Sequence, residues 1–472
     1  MSSSLRSLLS STLNSPSTAP SLANTLRQRR ENLARIFPSP VLLWSGQPQA
    51  RNFPANVYPF RANSHFLYFA GSSLQNAAIR LDAGRLELFM DNPTPASALW
   101  HGVEATREDV AEQIGADAAF PLADMAGQPN TATVAVQDHA TRSYQARVLK
   151  RAVVSAHHAD GIDSALIKAL VELRLVHDAG AIAEMRHAIA VSIEAHKAGM
   201  AATLHATHEA AVRAALESVF MTHDMTCAYN SIVTVHGEVL HNEHYHHPLN
   251  HGDLLLVDAG AEATSGWASD ITRTWPVSGT FSPTQRDMYD VVLAAHDACI
   301  AQMRPGFDYR DIHLLAARTM AEGLVELGIL KGNPDSLVDM DAYALFFPHG
   351  IGHLLGLDVH DMEDLGDTAG YAEGQTRSDR FGLCYLRLDR PLKAGMVCTI
   401  EPGFYQVPAI LNDPERRSRY ADVVDWDRLA QFSDVRGIRI EDDVLVTESE
   451  PEVLTANLPT EAQAIEQLVN AP

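Results

Sequence analysis

The chain has 472 residues, 46% of them hydrophobic and 20% charged, a composition typical of a globular protein and long enough for two domains. Its net charge of −23, from 36 Lys and Arg against 59 Asp and Glu, excludes general nucleic-acid binding, which needs a basic footprint. No run of about 18 apolar residues occurs, so no membrane span or membrane partner is expected.

In chain order, the first 30 residues are rich in serine, carry arginines and hold no acid before Glu31. That composition resembles an organelle transit peptide. The plainer reading is a polar arm, residues 1–34, leading into a helix near Leu22–Ile36. Short apolar runs follow at Pro40–Gly46, His65–Gly71, Ala77–Leu81, Leu86–Met90 and Ala132–Val136, and they read as strands. Ala77–Leu81 and Leu86–Met90 flank Asp82-Ala-Gly, a turn signal, and predict a hairpin. Ala105–Ile114 and His139–Leu149 read as helices. Residues 35–160 are thus expected to form a mixed α/β domain, and residues 161–472 a second domain.

The second domain opens with aliphatic, periodic segments at Leu166–Leu175 and Ala179–Leu204, which predict helices. Leu254–Val257 reads as a buried strand. Ser282-Pro-Thr-Gln285 is a capping box with proline at the first helical position. It starts a helix through Met288, Val292 and Cys299. Asp308 is expected to cap the next helix, which carries Met320 and Leu324. Met362–Arg380 is polar and Gly-rich and reads as a surface loop; Leu411–Arg436 is a second insertion. The four cysteines, Cys227, Cys299, Cys384 and Cys398, show no C-x-x-C spacing, so a reducing compartment is expected.

Four segments carry the chemistry: VDAGAEATSGWASDITRTW, FFPHGIGHLLGLDVHD, TIEPGFY and GIRIEDDVLV. Asp258 follows an aliphatic strand and Asp270 follows a turn containing Ser265 and Gly266. A β-hairpin would return the second carboxylate beside the first, where the two repel unless a cation lies between them. Either alone reads as an ordinary turn or surface aspartate. His349-Gly-Ile-Gly-His353 lacks the glutamate of H-E-x-x-H, which argues against a zincin. With His360, however, it places three histidines in one Gly-rich apolar segment. Glu401 stands where an apolar strand stops at Pro402-Gly403. Alternation puts Arg439 and Glu441 on one strand face. A surface pair there contributes little, whereas a buried one needs a partner or a metal. If Asp258, Asp270, His353, Glu401 and Glu441 converge, they could hold two divalent ions side by side, and such a pair activates water for hydrolysis. The tract of His241, His244, His246, His247 and His251 reads mostly as surface loop, without zinc-site spacing. His241 stands apart because it ends the apolar run Ser231–Leu240.

In this order these segments resemble the pita-bread metallopeptidases, the family of aminopeptidase P, prolidase and methionine aminopeptidase, over Leu175 to Leu468. The stretch NVYPFRANSHFLYFAG is similar to the N-terminal domain of the aminopeptidase P and prolidase branch. The implied architecture is an N-terminal α/β domain followed by a C-terminal pita-bread catalytic domain. The resemblance implies that Asp258, Asp270, His353, Glu401 and Glu441 ligate two metal ions, with Asp270 and Glu441 bridging. It implies that Glu401 doubles as general base, and that His241, His349 and His360 contact substrate and stabilise developing charge. Arg439 would orient the bridging carboxylates. This oxygen-rich set suits Mn2+, and Co2+, Zn2+ or Fe2+ could also bind.

The implied reaction is hydrolysis of the bond between an N-terminal residue and proline, in a di- or oligopeptide. Prolidase, an Xaa-Pro dipeptidase, is the main reading, because Arg387 matches the arginine with which prolidases hold the dipeptide carboxylate. The two insertions also look prolidase-like. Aminopeptidase P, acting on longer peptides, is the alternative, towards which the N-terminal domain leans. A catalytically dead peptide-binding protein on the same fold is a remote third. A cytoplasmic homodimer or higher homo-oligomer is the expected context. The family spaces its two aspartates one residue closer than here. The extra residue is expected near Thr264–Gly266, since within a strand it would flip the register and turn one carboxylate away.

Overall fold

The computed structural model describes residues 21–126 and 130–471; residues 1–20, most of the expected polar arm, lie outside the described residues. Packing begins with helix α1 (Leu22–Ile36), at the expected place. Leu26 and Leu33 are buried, and Arg29 donates to Asp178 (2.7 Å) and to the Tyr68 carbonyl (2.9 Å).

Strand β1 (Val41–Trp44) follows, and then helix α2 (Ser64–Ala70) in place of the strand expected at His65–Gly71. All seven residues of α2 are buried, so the run carries no period that separates helix from strand. Its ends decide the matter: Asn63 accepts from the His65 amide, and Gly71 closes the helix at φ +64°. The expected hairpin is β2 (Ala78–Asp82) and β3 (Arg85–Phe89), turned by Ala83 and Gly84, both at positive φ. Thr106 and Asp109 form a capping box on α3 (Arg107–Ile114), and β4 (Ala118–Phe120) completes a sheet of order β1-β2-β3-β4, parallel only at its last pair. Ala132–Val136 is not a strand. It makes one bridge, Ala132 to Val41, where the Ala132 amide donates to the Pro40 carbonyl (2.9 Å), and two further amides go to side chains: Thr133 to Asp163 (2.9 Å) and Val136 to Gln145 (3.0 Å). Helix α4 (His139–Leu149) ends this half.

The second half opens with α5 (Gly161–Arg174), α6 (Ala179–Thr203) and α7 (Glu209–Thr222). Strands β5 (Ile232–Thr234), β6 (Leu254–Asp258) and β7 (Thr272–Pro276) form an antiparallel sheet with β6 in the centre. The capping box of Ser282 and Gln285 starts α8 (Pro283–Ile300) as expected. Helix α9 (Tyr309–Glu326) begins after Asp308, but the Asp308 side chain makes no capping bond. Strands β8 (Val397–Ile400), β9 (Gly403–Tyr405), β10 (Gly437–Arg439) and β11 (Asp442–Leu445) pair β8 with β11 and β9 with β10. Helix α10 (Ala462–Val469) closes the chain. One apolar cluster runs through both halves, from Leu26 to Val469. No described helix is long and apolar enough to cross a membrane.

Gly260, between β6 and the turn, is packed against the opposite strand: a Cβ there would lie 1.8 Å from the Ser269 carbonyl oxygen. Gly260→Ala should destabilise the fold by about 3 kcal/mol, the upper range for overpacking. Urea unfolding measures it, and an unchanged midpoint would contradict the close approach.

Candidate metal centre

The centre is assembled where strands end. Asp258 is the last residue of β6 and pairs with Thr272 of β7, and Asp270 lies two residues before Thr272. The same register continues outward: the Ala259 amide donates to Ile271 (3.0 Å), the Ser269 amide to Ala261 (3.0 Å), and Glu262 bridges Ala268. The ladder therefore has no bulge, and Asp258 and Asp270 share one face. The residues between the paired Ala263 and Trp267, 264–266, form the turn, where Gly266 sits at φ +90°. Glu401 follows β8, and Glu441 lies between β10 and β11, bridged to Thr272. A bridge between Leu354 and Cys398 fixes the His353 segment beside β8.

All five residues line one cavity of about 950 Å³. His353 Nε2 lies 3.3 Å from Asp270, 3.8 Å from Glu401 and 3.9 Å from Glu441. Its Nδ1 is 3.1 Å from the Leu354 carbonyl, a bond that turns Nε2 towards the carboxylates. Among the described residues, Asp270, His353 and Glu441 form the one group of three or more whose ligand atoms all lie within 4.8 Å.

The surroundings hold these carboxylates in place. Thr272 Oγ1 donates to Glu441 (2.7 Å) and accepts from Arg439 Nε (3.0 Å). Arg439 also donates to Asp258 (2.5 Å) and to the Tyr405 hydroxyl (3.0 Å). The Tyr229 hydroxyl sits between the two aspartates, 2.5 Å from Asp258 and in contact with Asp270. Among the described residues, Arg439 is the one guanidinium bonded to a side chain of the five-residue set, against four carboxylates. Burial, then the nearby Asp258, pushes the Asp270 carboxyl up to about 8. Burial raises Glu401 to about 7, and burial with Asp270 and Glu401 raises Glu441 well above its ordinary value. Such groups cannot ionise together at neutral pH unless cations join them, so the donor set fits divalent metal ions.

The other expected site residues line the same cavity. His241 is exposed on a turn rather than at a strand end, because β5 stops at Thr234. The ring of His360 packs edge-on against His353 at 4.2 Å. Both nitrogens of His349 are engaged, with the Gly350 carbonyl (2.8 Å) and the Tyr405 hydroxyl (2.8 Å). Burial lowers the His349 ring to about 3, so it is neutral. Arg387 reaches the cavity wall but donates to Glu363 at 2.6 Å. His244, His246, His247 and His251 do not line this cavity. Met362–Arg380 is more than a surface loop: Met362, Leu365 and Ala369 are buried beside the site.

Several participants carried no sequence expectation. Thr272 and Tyr405 lie inside motifs already singled out, and their side-chain hydroxyls are the signal that could have found them. Tyr229 lies in a stretch with no motif. The first half also contributes: Arg61 pairs with Glu262 (2.6 Å), Ser64 donates to Asp358 (2.7 Å), and His65 lies between Arg174 (2.8 Å) and Asp364 (3.1 Å). Arg174 in turn donates to Asp361 (2.6 Å). These bonds hold the segment on either side of His360.

Residues 183–448 match Metallopeptidase family M24, and residues 26–137 match the aminopeptidase P N-terminal domain. The chain is 33% identical over 419 residues to a probable Xaa-Pro aminopeptidase of Fusarium vanettenii, covering 85% of each. It is 31% identical over 457 residues to the Xaa-Pro aminopeptidase of Haemophilus influenzae, covering 94% of this chain and 96% of that one. Its fold is similar to an Escherichia coli aminopeptidase P variant in complex with substrate, with a TM-score of 0.79 at 29% identity, covering 96% and 99%.

Proposed function

The chain belongs to metallopeptidase family M24, and from that membership we propose that it is an Xaa-Pro aminopeptidase, removing the residue that precedes proline at a peptide N-terminus. The observation that carries this reading is similarity to Xaa-Pro aminopeptidases through both halves of the chain. The dipeptidase preference expected from Arg387 is given up. The relatives are aminopeptidases, and the arginine on which that preference rested is already bound to Glu363.

Asp258, Asp270, His353, Glu401 and Glu441 are the proposed holders of two divalent ions, for which Mn2+ suits the oxygen-rich set. Bound there, the ions would polarise the scissile carbonyl and lower the pKa of water. Glu401 is the proposed proton acceptor, its basicity raised by burial. Arg439 and Thr272 orient Asp258 and Glu441. His360, with Nδ1 at Glu363 (3.2 Å), presents Nε2 to the cavity, and His241 makes no hydrogen bond to the described protein. These two are the proposed substrate contacts. His349 supports Tyr405, which receives the Arg439 bond. The four free cysteines suit a reducing cytoplasm.

The test is hydrolysis of Ala-Pro-Ala and Ala-Pro after chelation and Mn2+ addition. Restored cleavage of the tripeptide, with kcat/KM for the dipeptide at least about tenfold lower, is expected for loss of one favourable end-group contact. Equal or faster cleavage of Ala-Pro would return the dipeptidase reading.

A further inference from the structure

A side recess of about 190 Å³ adjoins the main cavity, and the two share His353, His360, Arg377 and Arg387. On its wall lies Arg387, the cation that the resemblance to prolidases pairs with the carboxylate of an Xaa-Pro dipeptide. The backbone of Arg387 passes close to Gly350, at 3.4 Å from the position of a Cβ there, which sets its side chain beside the His349–His353 segment. Yet the guanidinium is taken. Arg387 Nη1 donates to Glu363 Oε1 at 2.6 Å, while Glu363 Oε2 lies 3.2 Å from His360 Nδ1. Arg377 is bound in the same way by Asp367, at 2.6 Å. Arg439, the third arginine of the cavity, holds Asp258. No arginine lining the described cavity is left without a carboxylate.

Resting on the aminopeptidase reading above, we infer that Glu363 is a specificity-determining residue: it occupies Arg387 and so denies that cation to the α-carboxylate of an Xaa-Pro dipeptide. A substrate carboxylate entering the recess meets a neutralised guanidinium and a like charge beside it, and like-charge juxtaposition is strongly unfavourable. In a longer peptide the same carbonyl belongs to a neutral amide, which meets no such repulsion. The pair is partly exposed, with the Glu363 side chain at 42% and Arg387 at 36%, so removing the charge leaves no buried ion behind. Glu363 also orients His360, and that second role predicts a loss common to every substrate.

The two roles separate with Ala-Pro, its amide Ala-Pro-NH2 and Ala-Pro-Ala, measured on the metal-reconstituted enzyme. Wild type should favour Ala-Pro-NH2 over Ala-Pro. Glu363→Gln keeps a hydrogen-bond acceptor for His360 and should raise the Ala-Pro to Ala-Pro-NH2 ratio of kcat/KM about tenfold, mainly through KM. Arg387→Met added to Glu363→Gln should return the ratio to the wild-type value. Glu363→Ala is the second variant and should move the ratio the same way. An unchanged ratio in both variants, with Ala-Pro-Ala still cleaved, overturns this inference alone. Failure of wild type to cleave Ala-Pro-Ala overturns the aminopeptidase reading and this inference with it.

Discussion

Asp270→Asn is expected to lower kcat/KM by at least about a thousandfold, since changes beside a metal ligand already cost about 10–100-fold. Asp270 lies at the centre of the cluster, 3.3 Å from His353 and in contact with Tyr229, and its amide donates to Asp443 (3.1 Å). Asparagine preserves the size and one acceptor oxygen, so packing and backbone bonds survive. It removes one negative charge and replaces one oxygen with an amide nitrogen that does not ligate. The metal content of the purified variant should therefore fall together with activity. Stability should move in opposite directions with and without metal. In chelator the variant should unfold no lower than wild type, because one member of a mutually repelling buried set has been neutralised. In Mn2+ wild type should gain more, because ligand binding to the folded state stabilises it. A variant that retains metal and activity would remove Asp270 from the ligand set.

Arg273→Met is expected to cost about 3–5 kcal/mol, the penalty for breaking a buried ion pair from one side. Arg273 is fully buried and donates to Asp442 (2.7 Å) and to the carbonyls of Glu441 (2.7 Å), Leu458 (2.8 Å) and Pro459 (3.0 Å). Methionine fills the volume but leaves Asp442 facing only His296 (3.0 Å) and Thr455 (2.5 Å). Burial works to raise the Asp442 carboxyl, but Arg273 and His296 outweigh it and hold the group well below its usual range. Its folded pKa thus lies below the unfolded one, so the stabilisation is complete above about pH 4 and is lost as the pH falls further. The gap between wild type and variant, from urea unfolding at pH 7 and at pH 3.5, should shrink at the lower pH. A gap independent of pH would assign the loss to the carbonyl contacts instead.

Much of the centre was legible because its residues stand at strand ends. An acid placed after an aliphatic run, as at Asp258 and Glu401, announces both the strand and the point where the side chain leaves it. The capping box at Ser282 and the long periodic helix from Ala179 to Thr203 were equally local. Where local signals are absent, the fold is set by contacts distant in the chain. Helix α2 is buried on every side and shows no period. Ala132–Val136 has a strand's composition, but side chains from α4 and α5 take the Val136 and Thr133 amides. Arg387 looked free for a substrate because its partner, Glu363, lies 24 residues away behind a Gly-rich loop. Tyr229 meets both aspartates only in the folded chain.

The bonds from Arg61, Ser64 and His65 to the far half have a consequence beyond holding one segment. Together with an apolar cluster common to both halves, they tie the two halves to one core. Excising the second half would expose that shared core and strip Arg174 of His65, leaving a wholly buried cation with one fewer acceptor. The two halves are therefore expected to unfold as a single cooperative unit, and a lesion in the first to loosen a histidine in the second without touching the peptide.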